Sequence, residues 1–345
     1  MSGEHDLPTF LWDYETNRAI HDALPEFLVD VFRVITRLGD GATVVALAMI
    51  FYWFGYKGDW QQRGMLMAIA VATLALSAGL KGILDVQRPL YAAAEAGEPL
   101  AFAPEEYDGL STPSAHAMGA AAIYGGLAVK MDTGKRWQRY LVAGFIIVAV
   151  AFSRIVVGVH YPGDVLLGVA LGLLLVWFAL WLSTEETRSV LPMFLFALLV
   201  AASSNILGSE EFVTMSFGAA LGGILVWWYI HDSNPDPHGG AIVLFAIWLI
   251  PVLLGFRVFE SLVTLEILLE IAGTEVPVMA GIRTLGYASL FGLALAVPVI
   301  AERFNDHPHA QWLQETLPFT GRTIDPEKVE ERIEQVSDRP LSSEE

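Results

Sequence analysis

Three short motifs place charged and polar side chains at the edges of long apolar segments. An ionisable residue at the border of a hydrophobic span is energetically costly, so it indicates a function. Arginine offers a planar fork of donors and lysine a compact positive charge, and together they suit an anion with several oxygens. With two histidines and a carboxylate nearby, the motifs predict a phosphate-binding site that carries its own nucleophile and proton donor. The residues concerned are Lys81, Arg88, Ser114, His116, Arg154, His160 and Asp164.

The first motif is Lys81 with Arg88 and Pro89 seven and eight residues later. If the helix continues beyond Lys81, both cations point the same way, nearly two turns apart, and Pro89 then ends the helix. For this pair alone, the ordinary snorkelling of basic side chains towards the membrane interface is the alternative.

The second motif, Pro113-Ser114-Ala115-His116, opens an apolar segment. The first amides of a helix are unsatisfied donors, which makes a helix start an anion site. Ser114 could equally be a plain helix cap. His116 lies in the first turn of a membrane helix, so it must be either hydrogen-bonded for structural reasons or functional.

The third motif contains Arg154, His160 and Asp164. Asp164, four residues after His160, can accept a hydrogen bond from one ring nitrogen and leave the other free to attack. A His–Asp pair is often only structural. Its combination with the cations, the serine and a second histidine favours catalysis.

Composition indicates a multi-pass membrane protein. The chain has 345 residues, 54% of them hydrophobic and 17% charged, and its mean hydropathy is +0.50. Crossing a bilayer takes about 20 residues per helix. We therefore predict an all-α transmembrane bundle of about nine helices, near 41–56, 63–84, 114–130, 137–153, 163–183, 189–207, 213–230, 241–256 and 283–302.

The charge balance limits the choice of partners. The net charge is −18, which fits either a high-salt environment that screens self-repulsion or simply an acidic solubilising tail. No basic face is available for phosphate backbones, so nucleic acid is not an expected partner. The chain has no cysteine, which leaves neither disulfides nor thiolate metal sites, and no cleavable signal peptide is visible.

We divide the chain into an interfacial amphipathic segment 1–40, a catalytic core 41–183, further membrane helices 184–302 of unknown role and an acidic cytoplasmic tail 303–345. The polar loop 90–112 joins the first motif to the second. It could fold over the site as a cover or be a solvated connector.

Orientation follows from the loops that carry more Lys and Arg, which are expected to be cytoplasmic. The motif-bearing loops fall on the other side, so we expect the site at the extracytoplasmic face of the cell membrane. The cations that define the cytoplasmic side are Lys57, Arg63, Lys130, Lys135, Arg136, Arg139, Arg188 and Arg303.

The motifs resemble the type 2 phosphatidic acid phosphatase (PAP2) superfamily, with its Lys-x6-Arg-Pro, Pro-Ser-Gly-His and Ser-Arg-x5-His-x3-Asp patterns. The resemblance covers roughly residues 20–183 and implies a six-helix core and a phosphatase without metal or cofactor. It also implies that His160, held by Asp164, attacks phosphorus and that His116 protonates the leaving alkoxide. The implied phosphate-binding residues are Lys81, Arg88, Ser114, Ala115 and Arg154.

One position departs from the family pattern. Ala115 stands where the family has glycine, so a methyl group lies where the backbone meets phosphate, and we expect a tighter pocket or a shifted substrate choice. The nine predicted spans and the run from Pro113 to Gly119 are also similar to glucose-6-phosphatase of the same superfamily, but this likeness does not transfer the sugar substrate.

The expected function is hydrolysis of a lipid phosphate or polyprenyl (di)phosphate whose tail enters between helices. A phosphotransferase would use the same residues, and a non-catalytic lipid carrier or scaffold with a degenerate site is a further alternative. Vanadium haloperoxidases have a similar anion-binding site, but they are soluble proteins. The expected partners are the lipid substrate and membrane lipids. A homodimer is one assembly that the chain could form.

Overall fold

The computed structural model describes residues 9–55, 60–104, 107, 109–182, 190–206, 211–233, 235–262, 268–271 and 274–317. These residues form thirteen α-helices, two short 3-10 helices and one hairpin. The helices are α1 (Tyr14–Asp22), α2 (Glu26–Ile35), α3 (Gly41–Phe54), α4 (Trp60–Leu84), α5 (Pro89–Glu95), α6 (Ala115–Lys130), α7 (Arg136–Val156), α8 (Pro162–Leu182), α9 (Val190–Ile206), α10 (Glu211–Ile230), α11 (Gly239–Leu262), α12 (Val278–Glu302) and α13 (Pro308–Thr316).

The prediction of an all-helical, multi-pass membrane bundle is confirmed. Each predicted segment contains one helix, namely α3, α4 and α6 to α12. Within the described residues, six stretches are long and apolar enough to cross a membrane, or up to seven if the bent pair of helices around Asp40 counts as one span. By this criterion α3, α6 and α9 fall short on their own, because they have 14, 16 and 17 residues. A small antiparallel hairpin, β1 (Leu268–Ile271) and β2 (Thr274–Pro277), adds to the helical pattern.

The chain separates into two compact units. The larger comprises residues 1–232 and 255–295, and the smaller comprises residues 233–254 and 296–345. In the smaller unit, the start of α11 packs against α13, where the Gly240 amide donates to Gln314 at 2.7 Å. All three motifs belong to the larger unit.

Helix α6 lies at the centre of the larger unit, where it packs against α4, α7 and α8. Two glycines of α8 allow the closest of these approaches. A side-chain carbon at Gly168 would lie 2.6 Å from the Ser114 carbonyl oxygen, and one at Gly172 would lie 2.4 Å from that of Met118. Small residues at such positions let two membrane helices come together. The start of α8, with the third motif, is thereby held against the start of α6, with the second.

The N-terminal segment lies against this bundle. The 3-10 helix Thr36–Gly39 follows α2, and the axis bends by 52° before α3. Helix α2 packs against α7 and buries Val29, while Phe27, Val31 and Val34 remain exposed. This amphipathic distribution leaves an apolar face for lipid.

Some predictions fall outside the described residues. They concern Lys57 and Arg188 in the orientation argument, Glu105, Glu106 and Asp108 of the loop, and the acidic tail beyond residue 317. The domain boundaries and the orientation in the membrane stay predictions.

Candidate active site

The first motif is shaped by a break between two helices. Helix α4 ends at Leu84, Asp85 has a φ of +47° and Arg88 caps α5. The helix of the predicted span 63–84 does end at Leu84, so the condition that it continues from Lys81 to Arg88 is not met, and Pro89 begins the next helix instead of ending this one. Pro89 begins α5 because proline suits the first helical position, where no N–H is needed, and aspartate tolerates the left-handed conformation at the break.

Asp164 is the most completely bonded side chain of the third motif. It is fully buried, and its carboxylate accepts from the Ser111 hydroxyl at 2.5 Å, from the Thr112 hydroxyl and from the Tyr161 amide at 2.8 Å. Its Oδ2 lies 3.3 Å from His160 Nδ1. The carboxylate is thus fixed in place behind the imidazole.

His160 Nε2 faces the first motif. It lies 3.1 Å from Arg88 Nη1, and the same Arg88 nitrogen donates to the Val159 carbonyl at 2.9 Å. With Asp164 at Nδ1 and a guanidinium donor at Nε2, the geometry fits the neutral tautomer that carries its proton on Nδ1. His160 is 1% exposed. Burial and the nearby cations Arg88, Arg154 and Lys81 hold the pKa of His160 well below its usual range.

Arg154 reaches the same cluster through an aromatic ring. Its Nη2 donates to the Tyr107 hydroxyl at 2.7 Å and its Nη1 to Thr36 at 2.5 Å. The Tyr107 ring centre lies 4.5 Å from the Arg88 guanidinium carbon and 5.3 Å from that of Arg154. The tyrosine ring is therefore close enough to interact favourably with both arginines.

The described part of the loop after α5 contacts all three cations. Lys81 donates to the Leu110 carbonyl at 2.8 Å, and Arg88 Nε donates to the Gly109 carbonyl at 2.8 Å. Tyr107 accepts from Arg154 as described above. The loop thus supplies the oxygens that these three cations contact. Whether it covers the site during turnover stays a prediction.

At the second motif, Ser114 caps α6 and its hydroxyl accepts from the Ala117 amide at 3.4 Å. The Ser114 amide donates to the Asp164 carbonyl at 3.1 Å, so this amide is used between helices. His116 Nε2 lies 2.8 Å from Asp40 Oδ1.

A cavity of about 600 Å³ opens beside these residues. Lys81, Arg88, Tyr107, His116 and His160 line one end, and Ala115 lies beside them. From Lys81 the lining follows α4 through Leu74 to Ala70, a distance of about 16 Å at the helical rise per residue. The far part is walled by small and aliphatic side chains of α3, α4 and α6.

The structure thus brings the three motifs together at one end of the bundle. Lys81, Arg88, Ala115, His116 and His160 line the cavity, whereas Asp164, Ser114 and Arg154 stand behind them. Sequence reasoning missed Asp40, Tyr107, Ser111, Thr112 and Asn17. Ser111 and Thr112 directly precede the second motif and could have been noted as polar residues beside it. Nothing in the local sequence of Asn17 or Tyr107 indicates a partner far along the chain.

Asn17 joins α1 to the third motif. The side chain is fully buried, and its Nδ2 donates to the carbonyls of Ile155 and His160, both at 2.9 Å. It therefore fixes both ends of the turn that separates Arg154 from His160.

Among the residues that the structure describes, no group of three or more His, Asp or Glu side chains could hold a metal ion. The local charge that would meet a phosphate group comes from arginine and lysine.

Comparison with known proteins identifies the family of this chain. The PAP2 superfamily model matches residues 61–188. Phosphatidylglycerophosphatase B of Bacillus subtilis (strain 168) is 33% identical over 159 residues, which cover 43% of this chain and 72% of that protein. The chain belongs to the PAP2 superfamily and is a multi-pass membrane phosphatase of the PAP2 type.

A solved structure is also similar. It is described as the crystal structure of the first transmembrane PAP2 type phosphatidylglycerolphosphate phosphatase from Bacillus subtilis. It shares 30% identity, covers 51% of this chain and 86% of its own, and aligns with a TM-score of 0.43.

Proposed function

We propose that this protein is an integral-membrane, metal-independent phosphatase that hydrolyses a lipid phosphate or polyprenyl (di)phosphate through a phosphohistidine at His160. The observation that carries the proposal is the position of Arg88, Lys81, His116 and His160 at one end of a cavity whose far part is lined mainly by small and aliphatic side chains. A phosphate ester with a hydrocarbon tail matches both ends of that cavity.

Charge neutralisation supports phosphoryl transfer at this end. Such a reaction needs an in-line nucleophile and stabilised equatorial oxygens. Arg88 and Lys81 reach the cavity directly, and Arg154 stands behind Tyr107 with its buried Nε unbonded by any described group. An anion that enters the cavity would replace the loop oxygens that now contact these cations, or would bind the cations together with those oxygens.

In the first chemical step, His160 Nε2 attacks phosphorus and a P–N bond forms. The P–O bond to the alcohol breaks, its electron pair stays on the leaving oxygen, and His116 donates the proton that completes the alcohol. Asp164, next to His160 Nδ1–H, stabilises the positive charge that develops on the ring.

In the second step, water attacks the phosphohistidine. His116, now neutral, accepts a proton from that water, the P–N bond breaks, and inorganic phosphate leaves. His160 returns to the neutral state in which it began, and the cycle consumes one water per ester.

The substrate class follows from the cavity and from the relative. The similarity to a phosphatidylglycerophosphatase favours a phosphorylated glycerolipid, and the apolar lining accommodates an acyl or prenyl chain equally well. We place the site at the extracytoplasmic face because the cation-rich loops lie at the other end of the helices.

The test is phosphate release by purified protein from a panel of phospholipid, polyprenyl and sugar phosphates. We expect release from lipid substrates, inhibition by vanadate and full activity in EDTA. Release from sugar phosphates alone, or loss of activity in EDTA, would contradict the proposal. Transfer of labelled phosphate to an added alcohol in preference to water would indicate a phosphotransferase instead.

A further inference from the structure

Asp40 occupies an unusual position at the start of α3. It is the N-cap residue, yet its side chain makes no hydrogen bond to the helix amides. Its Oδ1 instead lies 2.8 Å from His116 Nε2. The His116 side chain is 17% exposed and that of Asp40 is 46% exposed. A carboxylate that would ordinarily cap its own helix is thus bonded to the histidine of another.

Contacts of the residues next to Asp40 hold it beside His116. The Tyr124 hydroxyl of α6 donates to the Leu38 carbonyl at 3.0 Å. Gly39 lies so close to α6 that a side-chain carbon there would be 3.1 Å from the His116 carbonyl oxygen and 2.5 Å from a methyl of Val150. The bend before α3 therefore presses Asp40 against the first turn of α6.

Nothing in the motifs points to Asp40. It lies before residues 61–188, to which the family model matches, and belongs to the segment that composition alone marks as interfacial. Its contact with the cavity-lining histidine appears only in the folded chain.

The charges around His116 explain what a carboxylate contributes there. Burial is the largest effect that disfavours a charged ring here, and the cations Arg154 of α7 and Lys81 of α4 add to it, whereas Asp40 is the carboxylate in contact with the ring. Two cations disfavour a positively charged imidazole, whereas an adjacent carboxylate favours it. An acid that must carry a second proton needs such a counter-charge.

We propose that Asp40 is a positioning residue for His116: it binds the Nε2–H, leaves Nδ1 to exchange the catalytic proton, and compensates the charge of the doubly protonated ring. In the first step the proton passes from Nδ1 to the leaving oxygen. In the second step Nδ1 takes a proton from the attacking water. The Nε2–H stays on Asp40 throughout. This inference rests on the proposed function.

The experiment compares two substrates with similar tails and different leaving groups, dodecyl phosphate and para-octylphenyl phosphate. An alkoxide needs protonation as it departs, whereas a phenolate leaves without it. General acid catalysis contributes about 10² to 10⁴-fold, so we expect Asp40→Asn to lower the alkyl-to-aryl ratio of kcat/KM by about tenfold or more. Asp40→Glu should restore part of the ratio, and Asp30→Asn, on the same segment but paired with Arg33 at the surface, should leave it unchanged.

The ratio does not depend on how much of the variant is folded, because both substrates report on the same active molecules. An unchanged ratio, or an equal loss with both substrates, would overturn the role of Asp40 while leaving the phosphatase assignment intact. Failure of the unsubstituted protein to hydrolyse either ester would overturn the proposed function itself.

Discussion

At His160 the proposed chemistry depends on which nitrogen carries the proton. Asp164 at 3.3 Å from Nδ1 and Arg88 at 3.1 Å from Nε2 select one neutral tautomer. The same guanidinium that orients Nε2 in the resting site would bind phosphate oxygens once substrate enters. In the proposed mechanism, His160 Nε2 thus faces the place where phosphorus would lie.

The pH dependence of activity follows from this environment. Burial first, and then Arg88, Arg154 and Lys81, lower the pKa of His160. Protonation of the ring therefore requires a pH lower than about 6.5, where an ordinary histidine takes up its proton. We expect the acid limb of kcat/KM, after allowance for ionisation of the substrate, to lie clearly below that value. A limb at or above about 6.5 that vanishes when His160 is replaced would contradict the account.

The spacing of residues within the three motifs predicted which side chains would meet, because it sets where each side chain lies relative to the end of its helix. It could not predict the contacts of Tyr107, Asp40 or Asn17. These depend on how a loop and two N-terminal helices pack on the core, which local patterns do not specify. The error at Pro89 has the same origin, since proline both ends helices and begins them.

At the scale of elements, the site depends on how closely α8 approaches α6. Gly168 faces the Ser114 carbonyl at a distance that leaves no room for a side chain. The helices therefore carry Asp164 and Ser114 into contact, and the Ser114 amide donates to the Asp164 carbonyl at 3.1 Å. The long apolar segments predicted both helices but could not say which of their faces meet.

Gly168→Ala tests this packing. The added methyl group must separate α8 from α6, which we expect to cost about 1–3 kcal/mol of folding free energy. We also expect lower activity, because Asp164 and Ser114 would move apart. Unfolding in detergent and phosphate release measure the two effects.

Gly144→Ala on α7 is the matched control. A side-chain carbon at Gly144 meets nothing within 4 Å, so this variant should keep full activity and gain slightly in helix propensity. Equal behaviour of the two variants would show that close packing at Gly168 is not required.

At the scale of the whole molecule, the motif-bearing loop before α6 and the loop 131–135 after it lie at opposite ends of that helix. The chain has no cysteine, so single cysteines can be introduced without background labelling. Ala96, after α5, and Thr133, before α7, are exposed.

We expect an impermeant maleimide to label Ala96→Cys in intact cells and Thr133→Cys only after permeabilisation, because the cation-rich loop should remain in the cytoplasm. The reverse pattern would place the site at the cytoplasmic face and would leave the phosphatase chemistry unaffected.

The central claim is that His160 becomes phosphorylated during turnover. The most direct test is rapid quenching of the His116→Ala variant with para-octylphenyl phosphate, followed by peptide mapping of the trapped protein. In that variant the phenolate can leave without an acid, but the base for the attacking water is missing, so we predict acid-labile phosphate on the peptide that contains His160. The double variant with His160→Asn should carry none. Phosphate on another residue, or steady turnover by a His160→Asn single variant, would contradict the account.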